Sequence, residues 1–287
     1  MAEMQTPDGK KVYLYPPPSK DFNPFTATDM DLLRHGLPLR PDPRKQPELA
    51  ALWDRRAARY RTFDHLEPKL DYTTSSKKAL TPALGLDPTE SCGYQLTTDT
   101  SAPFTSLAVT WTIPDLYFTA SQNGIDYFHT FVGLGFLDLH VEMTVDSADN
   151  VTSAFWSPDI GQISVPVRPG DVVSASLCLQ TNQAGTGSYN IANETTAQTM
   201  SFSINTGYPP AVTVNAGVTR SSPVGLPFAP LARFGVVYFD EITADTTSGL
   251  RSLTSGDATT MVDQNNTTLA TPVMLTASAF KAVFGSA

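Results

Sequence analysis

The chain has 287 residues, 41% of them hydrophobic, and a formal net charge of −9. That length carries one large all-β domain or two smaller domains. The acidity excludes nucleic acid as a partner, since phosphates would be repelled, and no run of eighteen apolar residues exists to cross a membrane as a helix. Residues 1–78 hold 14 Lys/Arg against 11 Asp/Glu, and the remainder holds 5 against 17, so the negative charge sits beyond the first quarter.

Residues 1–22 predict a flexible or extended lead-in, because Pro16-Pro17-Pro18 favours polyproline II. They contain no apolar h-region, so no secretory signal is expected and an intracellular setting is favoured. Residues 23–70 predict a helical brace. In "NPFTATDMDLLRHGLP" Thr26 or Thr28 can cap a short helix that Gly36 ends. In "RPDPRKQPELAALWDRRAARYRTF" Pro47 takes the first helical position, Glu48 suits the amino end and the arginines at 55, 56, 59 and 61 suit the carboxyl end. Leu49, Leu52, Trp53 and Tyr60 form its apolar stripe. Residues 71–89 have the Thr, Ser, Pro and Gly of a linker.

From residue 90 to 287 the pattern is strand after strand. Candidates are 93–98, 105–113, 127–136, 137–145, 151–156, 161–167, 172–180, 187–192, 198–205, 211–215, 234–239, 257–263 and 270–275, with turns such as "RPGD" (168–171) between them. The fold class that follows is all-β, a two-sheet antiparallel sandwich or jelly roll.

Within it, "LGFLDLHVEMTV" (134–145) places Asp138, His140 and Glu142 on one face of a strand and Leu137, Leu139, Val141 and Met143 on the other. A histidine flanked by two carboxylates is expected to hold its proton tightly and to serve as a general acid or base near neutral pH. The plainer reading is a wet groove that binds polar groups. Three groups in line along a strand stand roughly 7 Å apart and cannot close on one metal, so none is expected without a further ligand such as His129 or Asp126. No cofactor is called for. The two cysteines, Cys92 and Cys178, read as reduced and buried thiols, and no nucleophile pairing is legible for Cys92. "SSPVG" (221–225) is not a nucleophile elbow, "GTGS" (185–188) is a turn, and the adjacent Asp240 and Glu241 face opposite sides. Asn150, Asn193 and Asn266 lie in glycosylation triplets that matter only in a secreted eukaryotic protein.

The leader "NPFTATDMDLLRHGLPLRPDPRKQPELAALW", the strand "SLAVTWTIP" (106–114), "FVGLGF" (131–136), "AFWSPD" (154–159), "VRPGDVVSASL" (167–177) and "LPFAPLARFGVVYFDEITA" (226–244) occur in that order. Together they resemble the eqolisins, the glutamic peptidases, and their bacterial branch in particular. The resemblance implies two packed, curved antiparallel sheets of concanavalin-like form with a cleft on the concave face. It also implies a Glu that activates water and a Gln that steadies the oxyanion.

Carried over by motif, the Gln position falls on His140, or on Asp138 in a register two residues earlier. The Glu position falls on Asn215 within "GYPPAVTVNAG" (207–217), and 205–220 contains no Asp or Glu. Phe155 replaces the acid before Trp156, Gly135 replaces the Asp of Ile-Asp-Gly, and Ser91 replaces a Trp. Ordinary glutamic-peptidase activity is therefore not expected. The resemblance then implies a groove for an extended peptide or glycan, lined by Asn215, Phe155, Trp156, Trp111 and Phe131. The alternatives are a repurposed enzyme centred on His140, Glu142 and Asp138, or an acid endopeptidase with non-standard residues.

Overall fold

The structure, a computed structural model, describes residues 2–72, 86–119, 121–122, 124–179, 185–220 and 229–285. In chain order the strands are β1 (Ala2–Gln5), β2 (Lys11–Leu14), β3 (Asp64–His65), β4 (Leu70–Asp71), β5 (Ser91–Thr97), β6 (Phe104–Thr112), β7 (Ile125–Leu134), β8 (Leu137–Asp146), β9 (Val151–Ser157) and β10 (Gly161–Ile163). They continue as β11 (Val172–Leu179), β12 (Thr186–Asn193), β13 (Gln198–Asn205), β14 (Thr213–Thr219), β15 (Val236–Thr246), β16 (Gly249–Arg251), β17 (Asp257–Thr259), β18 (Met261–Val262), β19 (Thr268–Thr276) and β20 (Ala279–Phe284). Helices α1 (Asp29–Arg34) and α2 (Pro47–Tyr60) precede most of them.

Two sheets pack face to face. The larger runs β1-β2-β13-β12-β11-β6-β15-β20-β19-β18, with β16 beside β15 and β3 beside β13; the smaller runs β17-β5-β14-β7-β8-β9-β10-β4. Period-two alternation builds the layer between them. On β8, Leu139, Val141, Met143 and Val145 are fully buried, while their neighbours are half-buried on the opposite face. Phe128, Val132, Phe155, Val173, Leu177, Tyr189, Phe239 and Phe280 fill the same core. Trp111 on β6 spans the layer, donating its indole N–H to Thr130 Oγ1 on β7 at 2.9 Å.

The amino-terminal region departs from its expected role. Residues 2–14 form the hairpin β1–β2, and β2 pairs with β13 to extend the larger sheet. Val12 is fully buried in the common core, which holds the hairpin down despite the prolines that follow it. β3 and β4 also join the two sheets, so the sandwich recruits strands from well before residue 90. Most of the segment expected as a linker, and "SSPVG" with it, lies outside the described residues.

The helices start where capping chemistry dictates. Thr28 caps α1 and exchanges a reciprocal capping box with Asp31, and Pro47 opens α2. α2 lies across the outer face of the larger sheet, on the small polar residues that β11, β12 and β13 turn away from the core. Arg59 holds Glu241 at 2.8 Å, and Thr110 donates to the same carboxylate oxygen. Glu241 reaches them because β15 bulges after Asp240, with Glu241 at φ 49°.

Cys92 and Cys178 are free thiols on different sheets, and burial pushes their pKa values to about 12 and about 11. Cys178 is only half-buried by exposure. Asn193 is wholly buried and donates to Pro166 O and Asp171 Oδ2, so it is closed to glycosylation, whereas Asn150 and Asn266 are exposed.

Candidate functional site

The site lies on the face of the smaller sheet that turns away from the core. Residues paired across neighbouring strands share a face, so the register assembles three rows. The first is Gln95–Asn215–Gly133–Asp138, from β5, β14, β7 and β8. The second is Gly93–Gly217–Phe131–His140–Trp156–Gln162, continuing through β9 to β10. The third is Ser91–Thr219–His129–Glu142–Ala154. The face is recessed: Gln95, His129, Phe131 and Trp156 are all buried, though the sheet's core lies behind them.

Glycines clear the middle of this floor. At Gly133 a Cβ would meet Asn215 Oδ1 at 2.4 Å and Asp138 Oδ1 at 2.5 Å. The carboxamide of Asn215 and the carboxyl of Asp138 therefore converge over Gly133 from strands on either side of it. Gly93 and Gly217 leave a second bare stretch, where backbones approach so closely that a Cβ on either would strike the opposite main chain.

The titrations are set by burial. Asp138 is pushed up to about 7 by burial, with the charge of Asp159 adding to the effect. Burial likewise lifts Glu142 to about 7. His140 moves the other way, to about 4, because its surroundings disfavour the imidazolium. His129 falls to about 3 from burial, with repulsion from His140. The expectation of a tightly held proton on His140 is thus reversed. Its ring sits 5.8 Å from Trp156, 6.1 Å from Phe131 and 6.3 Å from His129, centroid to centroid. The flanking carboxyls are themselves neutral below about 7, so they supply no countercharge in acid. His140 Nδ1 and Asn215 Oδ1 are buried without a hydrogen-bond partner.

Asp138, His140 and Glu142 share this face as their spacing predicts, and Asn215, Phe131 and Trp156, which the family resemblance put in the groove, lie on it too. Phe155 and Trp111 do not belong to it. Phe155 pairs with Val141 and points into the core, and Trp111 lies on the other sheet with its indole turned to Thr130. Asp126 is also turned away; its carboxylate accepts from the backbone and hydroxyl of Thr119. Gln95 was missed by sequence reasoning. Its signal was its parity, since it alternates with Gly93 in a strand whose other members, Cys92, Tyr94 and Leu96, are core.

Residues 89–282 match the model of the Peptidase A4 family. The chain belongs to that family. Its sheets also superpose on solved glutamic peptidases. Scytalido-glutamic peptidase with a transition-state analogue inhibitor has TM-score 0.55 and 15% identity, covering 68% of this chain and 98% of that one. SCP-B, an eqolisin in complex with the tripeptide Ala-Ile-His, has TM-score 0.55, 17% identity and the same coverage. At such identities the likeness is one of fold. No curated protein matches the chain by sequence.

For a Peptidase A4 chain the crowding over Gly133 is directly testable. Gly133→Ala would force its methyl between Asn215 and Asp138, so both side chains must swing aside. Any ligand binding or turnover at this face is expected to fall at least about tenfold, as in sites displaced by an ångström. The melting temperature should move far less. A variant with unchanged affinity and rate would show that the two groups do not act together.

Proposed function

We propose that the recessed face binds an extended peptide and hydrolyses it with an acid–amide pair whose members have exchanged places. The convergence of Asp138 and Asn215 over Gly133 carries this reading. By the family resemblance an amide, Asn215, stands where the peptidases have their acid, and in the earlier of the two registers for β8 Asp138 stands at the place of their amide. Each type of group is still present, on opposite sides of the same glycine.

The chemistry follows from the protonation states. Below about 7, Asp138 is neutral and carries an O–H able to donate, on the same side of Gly133 as the buried, partnerless Oδ1 of Asn215. Ionised, Asp138 accepts a proton from a water that adds to the scissile carbonyl carbon. The Asn215 carboxamide donates an N–H to the oxyanion formed there, and the proton held by Asp138 then passes to the departing amine. The glycine floor admits the main chain of the substrate, and Phe131 and Trp156 flank it with apolar surface.

Cleavage of denatured casein across pH 2.5 to 9 tests the proposal. The rate should climb with pH and level off above about 7, since the base form sets it. Asn215→Ala should lower kcat by about 10²-fold, the usual cost of one oxyanion donor. A maximum at pH 3–4, or an unaffected Asn215→Ala, would contradict it. The second reading, a groove that binds peptide or glycan without turnover, is favoured by the aromatic walls around His140. Saturable binding to a peptide or glycan array with no cleavage at any pH would select it.

A further inference from the structure

The underside of α2 encloses a cavity that takes no part in the recessed face. Arg56 points from the helix onto the larger sheet, where Nη1 donates to Ser176 Oγ and, at 3.5 Å, to Ala175 O. Its Nε and Nη2 are buried without partners. Next to Ser176 in the register stands Asn190, whose Oδ1 accepts from Ser201 Oγ at 2.7 Å. Asn190 Nδ2 is likewise buried and unpartnered. All three orphaned donors belong to residues lining one cavity of about 90 Å³, with apolar walls that include Leu37, Trp53, Ala57, Tyr60 and Phe63.

Burying a donor without a partner is costly, and more so when the donor is charged. Burial disfavours the charge of Arg56, and Glu241 and Glu194 support it only from a distance, without a direct ion pair. Glu241 is held by Arg59 and Thr110, and Arg55 lies 3.6 Å from it. Glu194 accepts from Ser174 and lies 3.8 Å from Arg59. Both glutamates are thus engaged by other groups, and the Nε/Nη2 edge of Arg56 is left without either. Among the described residues Arg56 has no carboxylate within ion-pair range.

The geometry points to this cavity as a binding site for a small organic monocarboxylate. The Nε/Nη2 edge of a guanidinium matches a carboxylate in a two-bond fork, and Asn190 Nδ2 supplies a third donor. The volume is several times the ~10–15 Å³ that one water requires, and the apolar walls leave room for a short hydrocarbon tail. The site lies on the opposite sheet from Asp138 and is independent of the proposed hydrolysis.

The test is a titration of the full chain with sodium acetate and sodium butyrate, against sodium chloride at matched ionic strength. Binding is read by calorimetry and by the fluorescence of Trp53 in the cavity wall. Saturable binding of both carboxylates is expected, tighter for butyrate, and absent for chloride. Asn190→Leu should weaken it about tenfold, the worth of one hydrogen bond to a charged group, and Arg56→Gln should remove it. Asn190→Leu keeps the arginine in place, so it serves even if Arg56→Gln loosens the helix. No saturation at tens of millimolar, an equal response to chloride, or unchanged affinity in Asn190→Leu would overturn the assignment.

Discussion

Asp138→Asn is expected to abolish turnover and, at the same time, to make the protein more stable above pH 7. The two effects have one origin. In the unfolded chain this carboxyl ionises near 3.8, whereas in the fold it does so only near 7. Between those values the native state holds a proton that the unfolded state has released, so the contribution of Asp138 to stability falls as pH rises through the window and stays low beyond it. An asparagine carries no such charge. The variant should therefore match the wild type near pH 4 and exceed it by roughly 2 kcal/mol at pH 8, after allowance for water reaching the half-buried carboxylate. Casein cleavage, if Asp138 is the base, should drop by about 10³-fold or more across the pH range.

The histidines make the comparison sharper. His140 and His129 titrate at about 4 and about 3 in the fold, so the unfolded state binds protons that the native state refuses as pH falls below 6.5. Their contribution is lost toward acid, opposite in sign to that of Asp138 and Glu142, and the four nearly cancel between about 4.5 and 6.5. Wild-type stability should be flat in that interval. With Asp138 gone, Glu142 alone opposes two histidines, and stability should rise with pH there. Denaturant titrations of both proteins at pH 4, 5.5 and 8 check every part of this. A variant less stable than wild type at pH 8 would refute the buried-acid account.

Phe155→Ala and Trp156→Ala should separate cleanly, although the residues are neighbours. Phe155 is fully buried in the core between the sheets, so its loss is expected to cost about 3–5 kcal/mol with no direct effect on ligand affinity. Trp156 shares the recessed face with His140 and flanks the groove. Its truncation should weaken peptide binding several-fold, and its stability cost should be the smaller of the two. Chemical denaturation together with peptide titration distinguishes them. Reversed results would mean that the strand is out of register by one residue, which moves every side chain of β9 to the other face.

Phe155 marks where sequence reasoning ends. A position taken from a family motif names the partner in an alignment but not the face of the sheet, and Phe155 and Trp156 necessarily point oppositely. The lead-in shows a similar limit. Pro16-Pro17-Pro18 signals extended chain, yet β2 lies just before it, and its place beside β13 depends on hydrogen bonds to residues some 190 positions away. Gln95 and Gly133 were legible as residues but not as neighbours of Asn215 and Asp138. The four adjoin one another only through the pairing of β5, β14, β7 and β8.

The amino-acid sequence alone determined what rests on local physics: an all-β chain, helices opening at Thr28 and Pro47, and three titratable groups on one face of β8. Alternation and capping act over a few residues and need no knowledge of the partner strands. Only the tertiary structure decided the protonation of that face and the meeting of acid and amide across Gly133. Desolvation belongs to the walls around a side chain, and those walls come from strands far apart in the chain. For that reason the histidine expected to keep its proton gives it up, and the carboxyls beside it hold theirs.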